Sequence, residues 1–458
     1  MTTRDKLERL RRSSPSPAPP RGSSRDALYR LEREILGEAA TGEALSVKER
    51  LERLVAAKSR AVREKARPRP CARVPLEELI EGQALENSRG RFYMVESAFP
   101  LEHWHGRLSL SRLRLVSRSA FSALARGDDS AGLDLSRAVF LDTETTGLAG
   151  GSGTCPFLVG LGWVEEDQFR VRQLFMRDYP EEPALLEELT QLLSRFESLV
   201  TYNGKTFDLP LLESRFVLSR LRFPLAELPH FDLLHPARNL WKARLESCRL
   251  VELEYALLGF ERMEDVPGEL IPALYFDYVR SGDASRLPAV FLHNRNDILS
   301  LAALAVHASE LVEEGSEPDH PVDDFSLGRI FERAGEPDRS IQHYTRALDG
   351  GVAGAVRRRS LRQLALHYKR REQWEQATEL WRSLSAEEGP EAIEALEELA
   401  MHLEHRRQDF LGALELCEDA LRRVEEDPRL PLGWRARWRE ELGRRRSRLE
   451  RRSAQKRF

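Results

Sequence analysis

The chain has 458 residues, 41% of them hydrophobic, with 71 Lys and Arg against 75 Asp and Glu for a formal net charge of −4. That length allows about two to four domains with real cores, and the near balance of charge neither favours nor excludes nucleic acid in bulk. The four cysteines, Cys71, Cys155, Cys248 and Cys417, form no CxxC pair, which excludes a zinc ribbon or disulfide framework and suits a reducing cytosol. No apolar run is long enough to span a bilayer and no apolar core follows the N-terminal charges, so neither a membrane protein nor a signal peptide is expected and the cytoplasm is the expected location.

In chain order, residues 1–73 read as a polar tail and a charged helical segment. Ser13 to Pro20 alternates serine and proline, a composition that buries no core. Ser46 with Glu49 makes a capping box, and Val47, Leu51, Leu54, Val55 and Val62 keep a helical stripe. Residues 74–133 read as a small accessory region. Arg91 to Phe99 suggests a strand after the turn at Asn87–Gly90, and Arg107, Arg112, Arg114 and Arg118 form a basic stripe. Such a stripe either tracks a phosphate backbone or is a solvated edge. His103 and His105 lack a third ligand nearby and are discounted as a metal pair.

From 134 to 312 the pattern is α/β. Ala138 to Leu141 is a continuous apolar run, the mark of a strand buried on both faces. It drives into Asp142 and Glu144, which lie two apart and so point to one side. Two carboxylates held that close repel unless a cation sits between them, and hard oxygen ligands suit Mg²⁺ or Mn²⁺. Further strands are expected at 157–164, 169–176 and 199–202, and near Asp232. The first three strands are too closely connected to be parallel. A helix carrying Leu185, Leu189, Leu192 and Phe196 precedes the fourth strand. Asp208 then falls where that strand gives way to a second helix, in Asn203-Gly-Lys-Thr-Phe-Asp208. The Gly-Lys-Thr triplet is no P-loop, because Leu199 stands where the first glycine is needed. His293 and Asp297, four apart, share one face of a late helix, so an imidazole stands one turn from a carboxylate.

Residues 322–434 are helical and repetitive. Leu327, Phe331, Ser340, Tyr344 and Ala347 recur as Leu364, Tyr368, Ala377, Trp381 and Leu384, and again as Leu399, Leu403, Ala413, Cys417 and Ala420, with one extra residue in the third inter-helix turn. This resembles three tetratricopeptide repeats, which would bind a protein partner. Residues 435–458 form an arginine-dense tail, suited either to loose phosphate binding or to a solvated helix.

An antiparallel triplet followed by strands added through helical crossovers resembles the ribonuclease H-like fold, a mixed five-stranded sheet flanked by helices. Asp142-x-Glu144, Asp208 and His293-x-x-x-Asp297, in that order, resemble the DEDD 3′→5′ exonuclease superfamily. The segments Asp232–Trp241, Leu257–Arg262 and Asp265–Pro272 resemble the bacterial YprB-like family. The likeness covers about residues 75–310.

What the resemblance implies is a phosphodiesterase using two divalent cations held by Asp142, Glu144, Asp208 and Asp297, with Asp142 shared. His293 would take the proton of the attacking water. In one branch of that superfamily the histidine stands five residues before the last aspartate, and in the other a tyrosine stands four before; here a histidine stands four before. Thr143, Asn203, Phe207 and Lys205 would meet the substrate, a 3′ end of DNA or RNA. His230 and His235 read as strand-end packing and Cys155 as a buried small residue. A structure-specific endonuclease and a non-catalytic scaffold are the competing functions.

Overall fold

The computed structural model describes residues 73–124, 133–147, 153–225 and 228–455. The expected N-terminal tail and helical stripe therefore lie outside the described residues, as do residues 148–152 of the glycine-rich turn and residues 456–458.

A seven-stranded mixed sheet forms the centre, in the order β1-β2-β7-β6-β5-β8-β9. Its strands are β1 (Gln83–Asn87), β2 (Gly90–Pro100), β5 (Ala138–Thr145), β6 (Pro156–Glu165), β7 (Gln168–Phe175), β8 (Ser198–Thr201) and β9 (His230–Asp232), while β3 (Trp104–His105) and β4 (Leu108–Ser109) pair separately. β5, β6 and β7 are antiparallel neighbours, and β8 and β9 add parallel on the other side of β5. Two residues join β6 to β7, and Glu166 takes a left-handed φ of 47° to turn the chain. Helices α1 (Glu182–Leu193) and α2 (Asp208–Leu218) lead into β8 and β9.

These five strands are the expected ones, with β5 in their middle. The hairpin β1–β2 widens the sheet to seven. β2 pairs with β7 from Tyr93↔Phe175 to Pro100↔Gln168, so the region expected as an accessory piece completes the sheet. Nothing in the strand pattern of 91–99 reveals a partner over seventy residues downstream.

Alternation along β5 separates two cores. Ala138 and Phe140 join one hydrophobic layer, with α3 (Leu234–Trp241) and the later turns of α5 (Leu287–Leu311), and Val139 and Leu141 join the other, with α1, α2 and α4 (Ile271–Ser281). All four residues are fully buried, as a strand covered on both faces requires.

The basic stripe is a partly exposed edge whose arginines are paired with carboxylates of the same chain. Arg107 pairs with Asp319, Arg112 with Glu310, Arg114 with Asp167 and Arg118 with Asp134. It fastens the 107–118 segment to its surroundings and does not present a row of unpaired cations. His105 is likewise spent, buried against Ser300 Oγ at 2.7 Å.

The repeats follow as helical pairs: α6 (Pro321–Ala334) with α7 (Pro337–Asp349), α8 (Gly354–Arg370) with α9 (Trp374–Ser385), and α10 (Pro390–His402) with α11 (Phe410–Glu426). The repeating residues face inward, with Tyr368 and Leu403 half-buried and the others buried. The extra residue of the third unit is absorbed in a π-helical turn, Leu403–Arg407. The arginine-dense stretch is not a free tail. It belongs to α12 (Leu432–Gln455), which buries Trp438, Leu442 and Leu449, and Arg445 and Arg448 bind Glu404, whose carboxylate has no exposure. Leu327, Ile330 and Phe331 of α6 lie in the same core layer as β5, so the first repeat is packed onto the sheet domain.

Candidate metal centre

The site gathers at the end of β5, where the apolar run stops. Asp142 and Glu144 leave the strand on the face that carries α5, and Thr143 leaves on the opposite face, towards α2. That alternation assigns each its partner. Asn294 of α5 donates Nδ2 to Asp142 Oδ2 at 2.9 Å, and its Oδ1 accepts from Gln173 Nε2 at 2.9 Å. Gly160 lies between Asp142 and Gln173 in the sheet register. A Cβ there would come within 2.2 Å of Asn294 Oδ1, so the missing side chain is the room the amide occupies.

On the other face, Thr143 Oγ1 donates to Asp208 Oδ1 at 2.5 Å. Thr143, expected at the substrate, is thus engaged with a carboxylate. Asp208 opens α2 after a loop drawn tight by Asp232, whose carboxylate accepts from the backbone N–H groups of Asn203 (2.7 Å), Lys205 (3.1 Å) and Leu234 (3.1 Å). Asn203 takes a left-handed φ of 66° within it. Within the Gly-Lys-Thr triplet the Lys205 N–H is therefore turned towards a carboxylate and the Thr206 N–H towards the Asn203 carbonyl, unlike a phosphate cradle. Phe207 is 57% exposed, and Lys205 is exposed.

α5 supplies the rest. Single ligand atoms of Glu144, His293 and Asp297 all lie within 4.8 Å of one another, the group of this kind found among the described residues. Asp142 and Asp208 are outside that group, close enough for their charges to act on Glu144. His293 Nδ1 donates to Asp265 Oδ1 at 2.8 Å, which leaves Nε2 facing Asp297 Oδ2 at 3.6 Å. Arg262 reaches Asp297, Glu254 and Asp265.

The electrostatics follow from crowding. Asp142 and Glu144 are only half-buried by exposure, yet protein encloses them on most sides. Burial pushes Asp142 well above the usual carboxylate range, and the charges of Asp297 and Asp208 push it further. Burial and the charges of Asp142, Asp297 and Asp208 do the same to Glu144. Burial lifts Asp208 to about 6 against the Thr143 hydrogen bond. Burial works to lower His293, but the hydrogen bond to Asp265 and the charges of Asp297 and Asp265 outweigh it and raise the imidazole. Oxygen donors that resist sharing so much negative charge, with one imidazole beside them, fit a divalent cation.

Glu254, Arg262, Asp265, Gln173 and Asn294 were not singled out from the sequence as site residues. Asn294 did carry a signal, an amide next to His293 on the buried side of an apolar helix. His230 packs as expected, bonded to Thr201 Oγ1 at 2.8 Å and lowered to about 4 by burial. Cys155 is buried, and burial raises its thiol.

Sheet order and site together define the class, a ribonuclease H-like protein, and residues 139–309 match the RNase_H superfamily. Residues 321–414 match the tetratricopeptide repeat. The chain is 36% identical over 330 residues to YprB of Bacillus subtilis (strain 168), covering 71% of this chain and 79% of that protein. It belongs to the YprB family. Among solved structures, the family B DNA polymerase from the hyperthermophilic archaeon Pyrobaculum calidifontis aligns with 45% of this chain and 29% of its own, at 12% identity and a TM-score of 0.31. This chain spans less than a third of that polymerase, and so slight a likeness carries no argument. The superfamily points to a metal-dependent nuclease and the repeats to protein interaction. Among the described residues no helix is long and apolar enough to cross a membrane.

Proposed function

We propose that the chain is a divalent-metal-dependent phosphodiesterase that removes nucleotides from the 3′ end of DNA or RNA, with the repeats binding a protein partner. The observation that carries this reading is the crowding of carboxylates at the end of one strand, where the charges of Asp208 and Asp297 act on both Asp142 and Glu144. A scaffold has no use for such repulsion. The four carboxylates are the groups that would hold Mg²⁺ or Mn²⁺, and the bound ions would supply a more acidic water and neutralise charge on the phosphodiester.

The chain's own residues do the rest. Asp265 fixes the His293 proton on Nδ1, so Nε2 is the atom that accepts the proton of the attacking water. Asn294, held by Gln173, keeps Asp142 turned to the site. Thr143 does the same for Asp208. Phe207, exposed next to Asp208, offers a face for the terminal base or sugar, and Lys205 a charge for a phosphate.

End-labelled single- and double-stranded DNA and RNA, incubated with Mg²⁺ or Mn²⁺, test the reading. Stepwise release of nucleotides from the 3′ end is expected. Asp142→Asn should lower the rate by more than the roughly 10- to 100-fold typical of losing a mere outer partner of a metal ligand. Cleavage of closed circles would favour the endonuclease, and no cleavage of any substrate would overturn the proposal.

A further inference from the structure

The segment from Leu253 to Ile271 sends three charged side chains inward that the carboxylate set does not account for. Arg262, its side chain only 5% exposed, takes Glu254 Oε2 on Nε at 2.7 Å, Asp265 Oδ2 on one terminal nitrogen at 3.1 Å, and Asp297 Oδ1 on the other. Glu254 has no exposed side-chain surface. Asp265 is also the acceptor for His293 Nδ1. One guanidinium and one carboxylate thereby grip both α5 residues of the candidate centre.

We propose that Arg262, neutralised by Glu254, is a positioning residue for the cation site. This rests on the proposed reading of the centre as a divalent-cation site. Arg262 holds Oδ1 of Asp297 and leaves Oδ2 facing His293 Nε2 at 3.6 Å. Glu254 decides the charge balance. A buried guanidinium facing Asp297 alone would cancel the charge a cation needs, whereas Glu254 takes up that positive charge and leaves Asp297 its own. Three carboxylate acceptors shared among Nε and both terminal nitrogens also require the fork of arginine; a lysine ammonium is a point charge on a flexible stem and cannot hold all three in register.

Calorimetric titration of Mn²⁺ into the metal-free full-length chain tests this, with melting curves to establish folding. Arg262→Gln and Glu254→Gln should each weaken Mn²⁺ binding by roughly 10- to 100-fold, the range for partners that orient metal ligands. Arg262→Lys should recover little of it. Folded Arg262→Gln with wild-type affinity would overturn the inference. Should Arg262→Gln not fold, Arg262→Lys and Glu254→Gln decide: weakened binding supports the positioning role, and wild-type affinity in both overturns it. Wild-type protein that binds no Mn²⁺, or Asp142→Asn that binds it equally well, would instead remove the cation-site reading on which the inference stands.

Discussion

At the scale of single residues, the site crowds carboxylates whose repulsion a bound cation would relieve. Asp142, Glu144 and Asp208 all have folded-state pKa values above their ordinary ones, Asp208 at about 6. The folded protein therefore holds protons longer than the unfolded chain, and metal-free stability falls as pH rises from the ordinary carboxylate range through those values. Asp142→Asn removes one of the charges. Without metal it should melt a few degrees above wild type at pH 8, on the order of 1–3 kcal/mol, with the gap closing towards pH 4. A variant no more stable than wild type at pH 8 would contradict the crowding. His293 separates differently. A proton acceptor would be dispensable for holding the cation, so on the proposed role His293→Gln should keep Mn²⁺ affinity within a few-fold while losing roughly 10²- to 10⁴-fold in turnover. Loss of Mn²⁺ binding as severe as in Asp297→Asn would make it a ligand. The carboxylates were legible because two sit on one strand and the others open or occupy identifiable helices. Arg262, Glu254 and Asp265 were not, because a guanidinium in a loop acquires a role only from acceptors on other elements.

At the scale of elements, the sheet carries the site on a strand whose neighbours were shaped for it. Gly160→Ala would drive a methyl group into Asn294. It should cost about 1–3 kcal/mol in denaturant unfolding and reduce activity, because Asn294 leaves Asp142; unchanged stability would contradict the packing described. The antiparallel triplet was legible from its short connections, and the repeats from their recurring small and large residues. Even the π-turn at 403–407 was foreshadowed by one surplus residue. The packing of the last helix was not legible for a physical reason. Its core contacts are sparse, Trp438, Leu442 and Leu449, and are hidden among arginines whose partner is a buried glutamate on another helix. Leu442→Ala should destabilise the repeats by about 2–5 kcal/mol in thermal unfolding. An exposed tail would tolerate the change to within about 0.5 kcal/mol.

At the scale of the whole molecule, sheet domain and first repeat share a core. Arg107–Asp319 and the Arg244–Asp323 pair at 3.0 Å span the junction, and Leu327, Ile330 and Phe331 close it. A partner bound at the first repeat would thus be held beside the sheet domain. Two domains were legible as a change of pattern near residue 320, but their fusion was not, since a helix of either domain shows the same apolar stripe. The proposed activity is phosphodiester hydrolysis at the end of β5. Its most direct measurement is the release of labelled nucleotide from a 3′-labelled strand in Mn²⁺, with wild type beside Asp142→Asn. Release by wild type that stops on chelation and is lost in Asp142→Asn is the predicted result; equal release by the two proteins, or none by wild type, would contradict it.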